Sequence, residues 1–190
     1  LVGSEMCIRD NGGVDAAEWR KLLPGIWFHD PGLATTSGAD SAITELDGEN
    51  GILRYRGYPI EQLAQQSTFL EVSYLLIHGE LPTQAQLDAW VHEITHHTFL
   101  HEKFRTRMHD AYHYDAHPMG LLTSSVAGLS TFYPEAKDID DPDVRMKQIV
   151  RLIAKMPTMA ASAHRHAMGL PYVFPDNALD YPSNFLNMMF

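Results

Sequence analysis

Histidines at helical spacing carry the most chemical potential in this chain. His92-Glu93-Ile94-Thr95-His96 matches H-E-x-x-H, in which two imidazoles one turn apart bind zinc and the glutamate acts as base. That chemistry needs a third ligand. The metzincin continuation would place Gly at 99 and His at 102, where this chain has Phe99 and Glu102. At about 100° per residue, Leu87, Trp90, Val91 and Ile94 share one helix face, and His92 and His96 point away from it toward solvent. His97 and His101 repeat the spacing, as do His109, His113 and His117; these read as surface or capping histidines on consecutive turns. No G-x-S-x-G elbow, G-x-G-x-x-G string or P-loop occurs, and no acidic cluster offers three-ligand geometry, so no metal site is expected.

A second feature is cationic. Arg145, Lys147, Arg151 and Lys155 place four of the 14 Lys and Arg residues within a short stretch. On a helix Lys147, Gln148, Arg151 and Lys155 form one stripe, opposite Met146, Ile149 and Ile153. Asp143 stands four residues before Lys147, but no carboxylate lies four residues from Arg151 or Lys155. In a chain of net charge -10, such a stripe is a candidate anion site, set against the plainer reading of a solvated helix face.

These residues need elements to position them, and composition bounds what those can be. A chain of 190 residues, 45% hydrophobic and 20% charged, is globular. Its longest apolar runs fall short of the roughly 18 residues that cross a bilayer. The acidic balance disfavours nucleic acid as partner, and the single Cys7 excludes an internal disulfide framework and a CxxC site. A soluble, cytoplasmic protein is expected. Residues 1–10 read as a non-native segment. Residues 11–57 read as an N-terminal stretch of short β-strands: a strand-capable run at 26–28, a turn at 30–32, then a hairpin pairing 42–46 with 52–55. From 58 to 190 the period is helical. Pro59 suits a first helical turn, a helix over 69–77 ends near Gly79, and Thr83 with Gln86 forms a capping box. His117-Pro118 opens a helix rich in Gly, Ala and Ser, expected at the centre of a helical layer. Asp141-Pro142-Asp143 starts another, expected to end or kink at Met156-Pro157. The apolar run 185–190 has no stop signal, and the chain is expected to be a fragment.

Read in order from about Trp27 to Phe190, these segments resemble citrate synthase of the bacterial allosteric type. The resemblance rests on FHDPG at 28–32, DGENGIL at 47–53, RGYPIEQLA at 56–64, HGELPT at 78–83, His97-Thr98, His117-Pro118-Met119, KMPTMA at 155–160 and NFLNMMF at 184–190. It implies a mainly α fold: part of a multi-helical large domain with a small N-terminal β element. The implied enzyme condenses acetyl-CoA with oxaloacetate to citrate and CoA, the first step of the tricarboxylic acid cycle. The family's G-P-x-H-G-G, G-F-G-H and D-H-E strings do not occur here. The resemblance therefore puts the catalytic residues after Phe190, leaves the small domain and catalytic half outside the chain, and implies no activity for the chain alone. It implies no cofactor, but NADH as a possible allosteric inhibitor, at residues matching His97, Thr98, Tyr133, Arg151, Lys155 and Asn177. Where the family has Arg before His97, this chain has His96. Small-molecule substrates and a homo-oligomer, dimer or hexamer, are the implied partners. Two other readings stand beside it: a zinc metallohydrolase built on His92 and His96, and a helical interaction domain without chemistry.

Overall fold

The computed structural model describes residues 41–48 and 50–190, so segment 1–10, the strand-capable run at 26–28 and the turn at 30–32 lie outside the described residues. The chain divides into two compact units, Leu1–Pro82 and Thr83–Phe190.

The described part of the first unit begins with the expected hairpin. Strands β1 (Thr44–Asp47) and β2 (Ile52–Tyr55) pair antiparallel, with Thr44 opposite Tyr55 and Asp47 opposite Ile52. Asp47 organises the connecting loop by accepting from the backbone N–H and side-chain amide of Asn50 at 3.2 and 2.7 Å. A third strand, β3 (Tyr58–Pro59), adds to β2 through a two-residue turn at Arg56-Gly57. Both turn residues have positive φ, +50° and +86°, as primed hairpin turns require. The Arg56 guanidinium donates to the Leu76 carbonyl at 2.8 Å and ties the turn to the helices that follow. Pro59 ends β3 and sits at the N-cap of α1 (Ile60–Gln66) rather than inside its first turn. Helix α2 (Phe69–His78) begins with a reciprocal capping box, Thr68 with Glu71, and stops at Gly79 in the left-handed conformation (φ +91°), the C-terminal signal glycine supplies at no Cβ cost.

The second unit is all helix and loop. Helix α3 (Gln84–Thr95) starts where expected, with Gln86 Oε1 accepting from the Thr83 N–H and hydroxyl, each at 2.8 Å. It buries Trp90 and Ile94, with Leu87 and Val91 half-buried beside them. Helices α4 (Glu102–Ala111) and α5 (Pro118–Leu129) open on histidine caps: His101 Nδ1 accepts from the Lys103 N–H and His117 Nδ1 from the Met119 N–H. Phe104, Met108, Leu129 and Met159 form one buried core cluster, with Tyr112, Val126, Phe132 and Met156 packed around it. On α5 the buried row is Leu121, Ser125 and Leu129, while Gly120, Ala127 and Ser130 are exposed. Its small residues thus line an outer face as much as an inner one.

Two short 3-10 turns, Ser130–Phe132 and Pro134–Lys137, lead to α6 (Pro142–Ala167), capped by Asp141. The helix does not end at Met156-Pro157. Helix α6 runs 26 residues, with Pro157 inside it. Proline has no N–H for the carbonyl four residues back, here that of Ile153. The Tyr181 hydroxyl supplies the missing donor, 2.8 Å from the Ile153 oxygen. Tyr181 opens α7 (Tyr181–Met189), which packs on α6 and buries Asn184 and Met188. Among the described residues no helix is long and apolar enough to cross a membrane.

If the phenol replaces the proline's lost donor, Tyr181→Phe should lower unfolding free energy by about 1–3 kcal/mol, the cost of a buried unsatisfied carbonyl. In a Pro157→Ala background the backbone N–H restored at position 157 can serve Ile153, so the same substitution should cost much less. Denaturant unfolding of the four-member cycle checks this; equal losses in both backgrounds would show the two positions to be uncoupled.

Candidate functional site

The densest polar constellation in the second unit lies where α6 meets the segment after α3. Lys155 is only 3% exposed. Its ammonium donates to the backbone carbonyls of His97 and Phe99, each at 2.5 Å. One turn on, the buried Thr158 hydroxyl donates to the Thr98 carbonyl at 3.0 Å. Three successive carbonyls are therefore held by one face of α6. Thr98 is itself buried, and its hydroxyl donates to Asn177 Oδ1 at 2.9 Å, bringing in a residue 79 positions away.

Burial lowers the Lys155 pKa from 10.5 to about 8, with the nearby Arg151 charge pushing the same way. Neutral carbonyls compensate an ammonium only in part. Lys155 is thus a poised group rather than a member of a solvated stripe, which corrects that reading of the helix wheel.

Arg151 lies one turn before Lys155. Its guanidinium stacks 4.0 Å from the centre of the Tyr133 ring and pairs with Glu135 at 2.5 Å. Sequence spacing left Arg151 without a carboxylate because it searched one helix only. Glu135 comes from the 3-10 turn before α6 and is brought in by tertiary structure. Its carboxyl is held below the usual range by the Arg151 hydrogen bond, and burial raises the Tyr133 phenol. The i, i+4 pair expected of Asp143 and Lys147 is absent from the ion pairs of the described residues.

All six residues singled out by the resemblance thus fall in two adjoining groups. His97, Thr98, Lys155 and Asn177 form one hydrogen-bonded set, with His97 taking part through its carbonyl while its ring Nδ1 faces the Glu93 backbone carbonyl at 2.8 Å. Tyr133 and Arg151 form the other. Sequence reasoning missed Thr158 and Glu135. Thr158 could have been found, three residues from Lys155 on the same face. His96 is exposed at the C-cap of α3, its ring against that of His92.

The metallohydrolase reading finds no support: His92 and His96 face solvent, and among the described residues no group of three or more His, Cys, Asp or Glu could hold a metal. His113, like His101 and His117, uses Nδ1 to accept a nearby backbone N–H.

Comparison with known proteins bears on most of the chain. The family model for citrate synthase, C-terminal domain, matches residues 32–190. Among curated relatives, the peroxisomal citrate synthase of Dictyostelium discoideum is 54% identical over 172 residues, covering 87% of this chain and 35% of that protein. A second Dictyostelium discoideum citrate synthase is 51% identical over 172 residues, covering 87% and 33%. The chain thus spans about a third of the length of the curated relatives it matches. In solved structures, the Pyrobaculum aerophilum citrate synthase superposes with a TM-score of 0.76 at 33% identity, covering 84% of this chain and 42% of that one. The Thermotoga maritima citrate synthase gives 0.70 at 30%, covering 84% and 40%. A mainly helical fold with a small strand element, matched across most of its length by one family's model and by that family's structures, places this chain in the citrate synthase family.

Proposed function

We propose that the protein carrying this sequence condenses acetyl-CoA with oxaloacetate to give citrate and free CoA, and that these residues contribute scaffold and a regulatory anion site rather than the reacting groups. The observation that carries this is 54% identity over 172 residues to a protein named citrate synthase. Enolising a thioester methyl needs a base on one side and a hydrogen-bond donor on the other. The family strings that supply them do not occur in the 190 residues. We take the protein to act in the cytoplasm as a homo-oligomer, and exposed apolar side chains such as Met119, Ile139 and Leu186 support a second copy as cover. Thiol release with both substrates tests the activity. A protein spanning the full length of the relatives should turn over; the 190-residue chain should not, since removing every member of a catalytic unit leaves little. Silence from the former, or turnover by the latter, would sink this division of labour.

The finer reading, an allosteric type of the enzyme inhibited by NADH, rests on the Lys155 and Arg151 groups. Arg151 retains 12% of its side-chain exposure and can meet a phosphate, with Tyr133 as a stacking surface and Lys155 as a second charge beneath. An arriving anion must compete with Glu135 for Arg151. Replacing Glu135 with Gln should therefore tighten NADH binding, by about twofold to fivefold given the modest strength of such pairs. The pH response follows from Lys155: above about 8 its charge is lost, while Arg151 stays charged. Affinity should fall as pH rises from 7 to 9, by up to about tenfold per unit beyond the pKa, and Lys155→Met should flatten that profile. Calorimetric titration with NADH at the two pH values measures both effects; a profile unchanged by Lys155→Met would remove Lys155 from the site.

A further inference from the structure

We propose that the exposed last turn of α3 is a two-histidine binding site for a borderline-soft divalent metal ion of the Zn2+, Ni2+ or Cu2+ class, with His92 and His96 as its ligands. Both side chains are exposed, and their ring centres lie 3.9 Å apart at a tilt of 36°. Metal–imidazole bonds of about 2.0–2.1 Å require two ligand nitrogens close together on one side of the ion. Rings already in contact one helical turn apart put two imidazoles on one side of the helix, where their nitrogens can share an ion.

The tautomer is settled by geometry. His96 Nδ1 lies 2.6 Å from the His92 backbone oxygen. A carbonyl only accepts, so Nδ1 carries the proton and Nε2 keeps its lone pair. An imidazole whose second nitrogen donates to a carbonyl is the arrangement that orients metal-binding histidines and raises their basicity.

Position on the helix points the same way. His92 lies in the last turn of α3 and His96 is its C-cap. The unsatisfied carbonyls of a helix C-terminus favour a cation there. Imidazole ligands suit copper, nickel and zinc over calcium or magnesium, with copper bound most tightly. Among the described residues no third ligand gathers at the pair, so water completes the coordination sphere. The site is a surface chelate, chemically distinct from a three-ligand hydrolase centre. It adjoins the His97 and Thr98 carbonyls held by α6, so a bound ion would stiffen the approach to that segment.

The test uses the 190-residue chain without an affinity tag, titrated with ZnCl2 and NiCl2 by calorimetry in a non-coordinating buffer, with far-UV circular dichroism confirming the fold of each variant. One site of micromolar affinity is expected. His92→Ala and His96→Ala should each weaken it about a hundredfold, because loss of either ligand removes the chelate's effective concentration. His101→Asn, which keeps a capping side chain on α4, should leave it unchanged. Only millimolar binding, equal affinity in the two alanine variants and the parent, or a larger loss on His97→Ala than on His92→Ala would overturn the assignment.

Discussion

The Tyr181 hydroxyl reaches the Ile153 carbonyl at the point where Pro157 leaves α6 without a donor, and the geometry of the second unit depends on that contact. A proline inside a helix removes one hydrogen bond and presses its ring on the preceding turn, at a cost of about 3 kcal/mol. Helix α6 nevertheless runs unbroken from Pro142 to Ala167. The phenol comes from the start of α7, so the two helices' packing and α6's continuity support each other. Burial raises the Tyr181 pKa to about 12, which keeps the hydroxyl a proton donor at every pH at which the protein would work.

Continuity matters because of what α6 carries along one face. Arg151, Lys155, Thr158, Ser162 and Arg165 recur at spacings of four and three, so they stay aligned only if the helix is whole. Each described contact along this seam satisfies a group from elsewhere. Arg151 takes Glu135, Lys155 takes the carbonyls of His97 and Phe99, and Thr158 takes that of Thr98. Farther along, Arg165 donates to the carbonyls of Pro171 and Met189. A helix ended at Met156 would part Lys155 from Thr158 and release the segment between α3 and α4. At Lys155 the balance tips toward the cost of burial, because its pKa falls rather than rises. A charge held less favourably than in water is a feature of functional sites as well as of structural ones.

Where a local signal and the tertiary structure agree, the sequence is readable. Thr83 with Gln86, His117-Pro118, Asp141-Pro142 and Gly79 mark helix ends that the structure keeps, because caps and left-handed glycines act within a few residues. Thr68 and Glu71 carried the same signature and could have been read. That Pro157 does not end the helix could not be read locally, because the replacement donor is Tyr181, far along the chain, and no window centred on the proline contains it. The candidate site divides in the same way. The alignment of Arg151 with Lys155 is legible on a helix wheel, but the burial of Lys155 and the pairing of Arg151 with Glu135 are properties of three-dimensional packing. Along the cationic stripe the environment changes from exposed at Lys147 to half-buried at Arg151 and buried at Lys155.

Position 96 joins these themes. A helix C-terminus presents carbonyl oxygens with no internal donors and favours positive charge within the last turn. An arginine there, as the resemblance leads one to expect, meets that demand with a permanent charge that reaches outward. His96 meets it differently: its Nδ1 satisfies one of those carbonyls directly, that of His92, and its ring settles against the neighbouring imidazole. The exchange trades a long cation for a short donor with a free nitrogen. At this helix end the demand of the carbonyls is met from within the chain, beside the segment that α6 holds. The three carbonyls after α3 tie that helix end to α6, because the α6 face that holds them also carries Arg151 and Lys155.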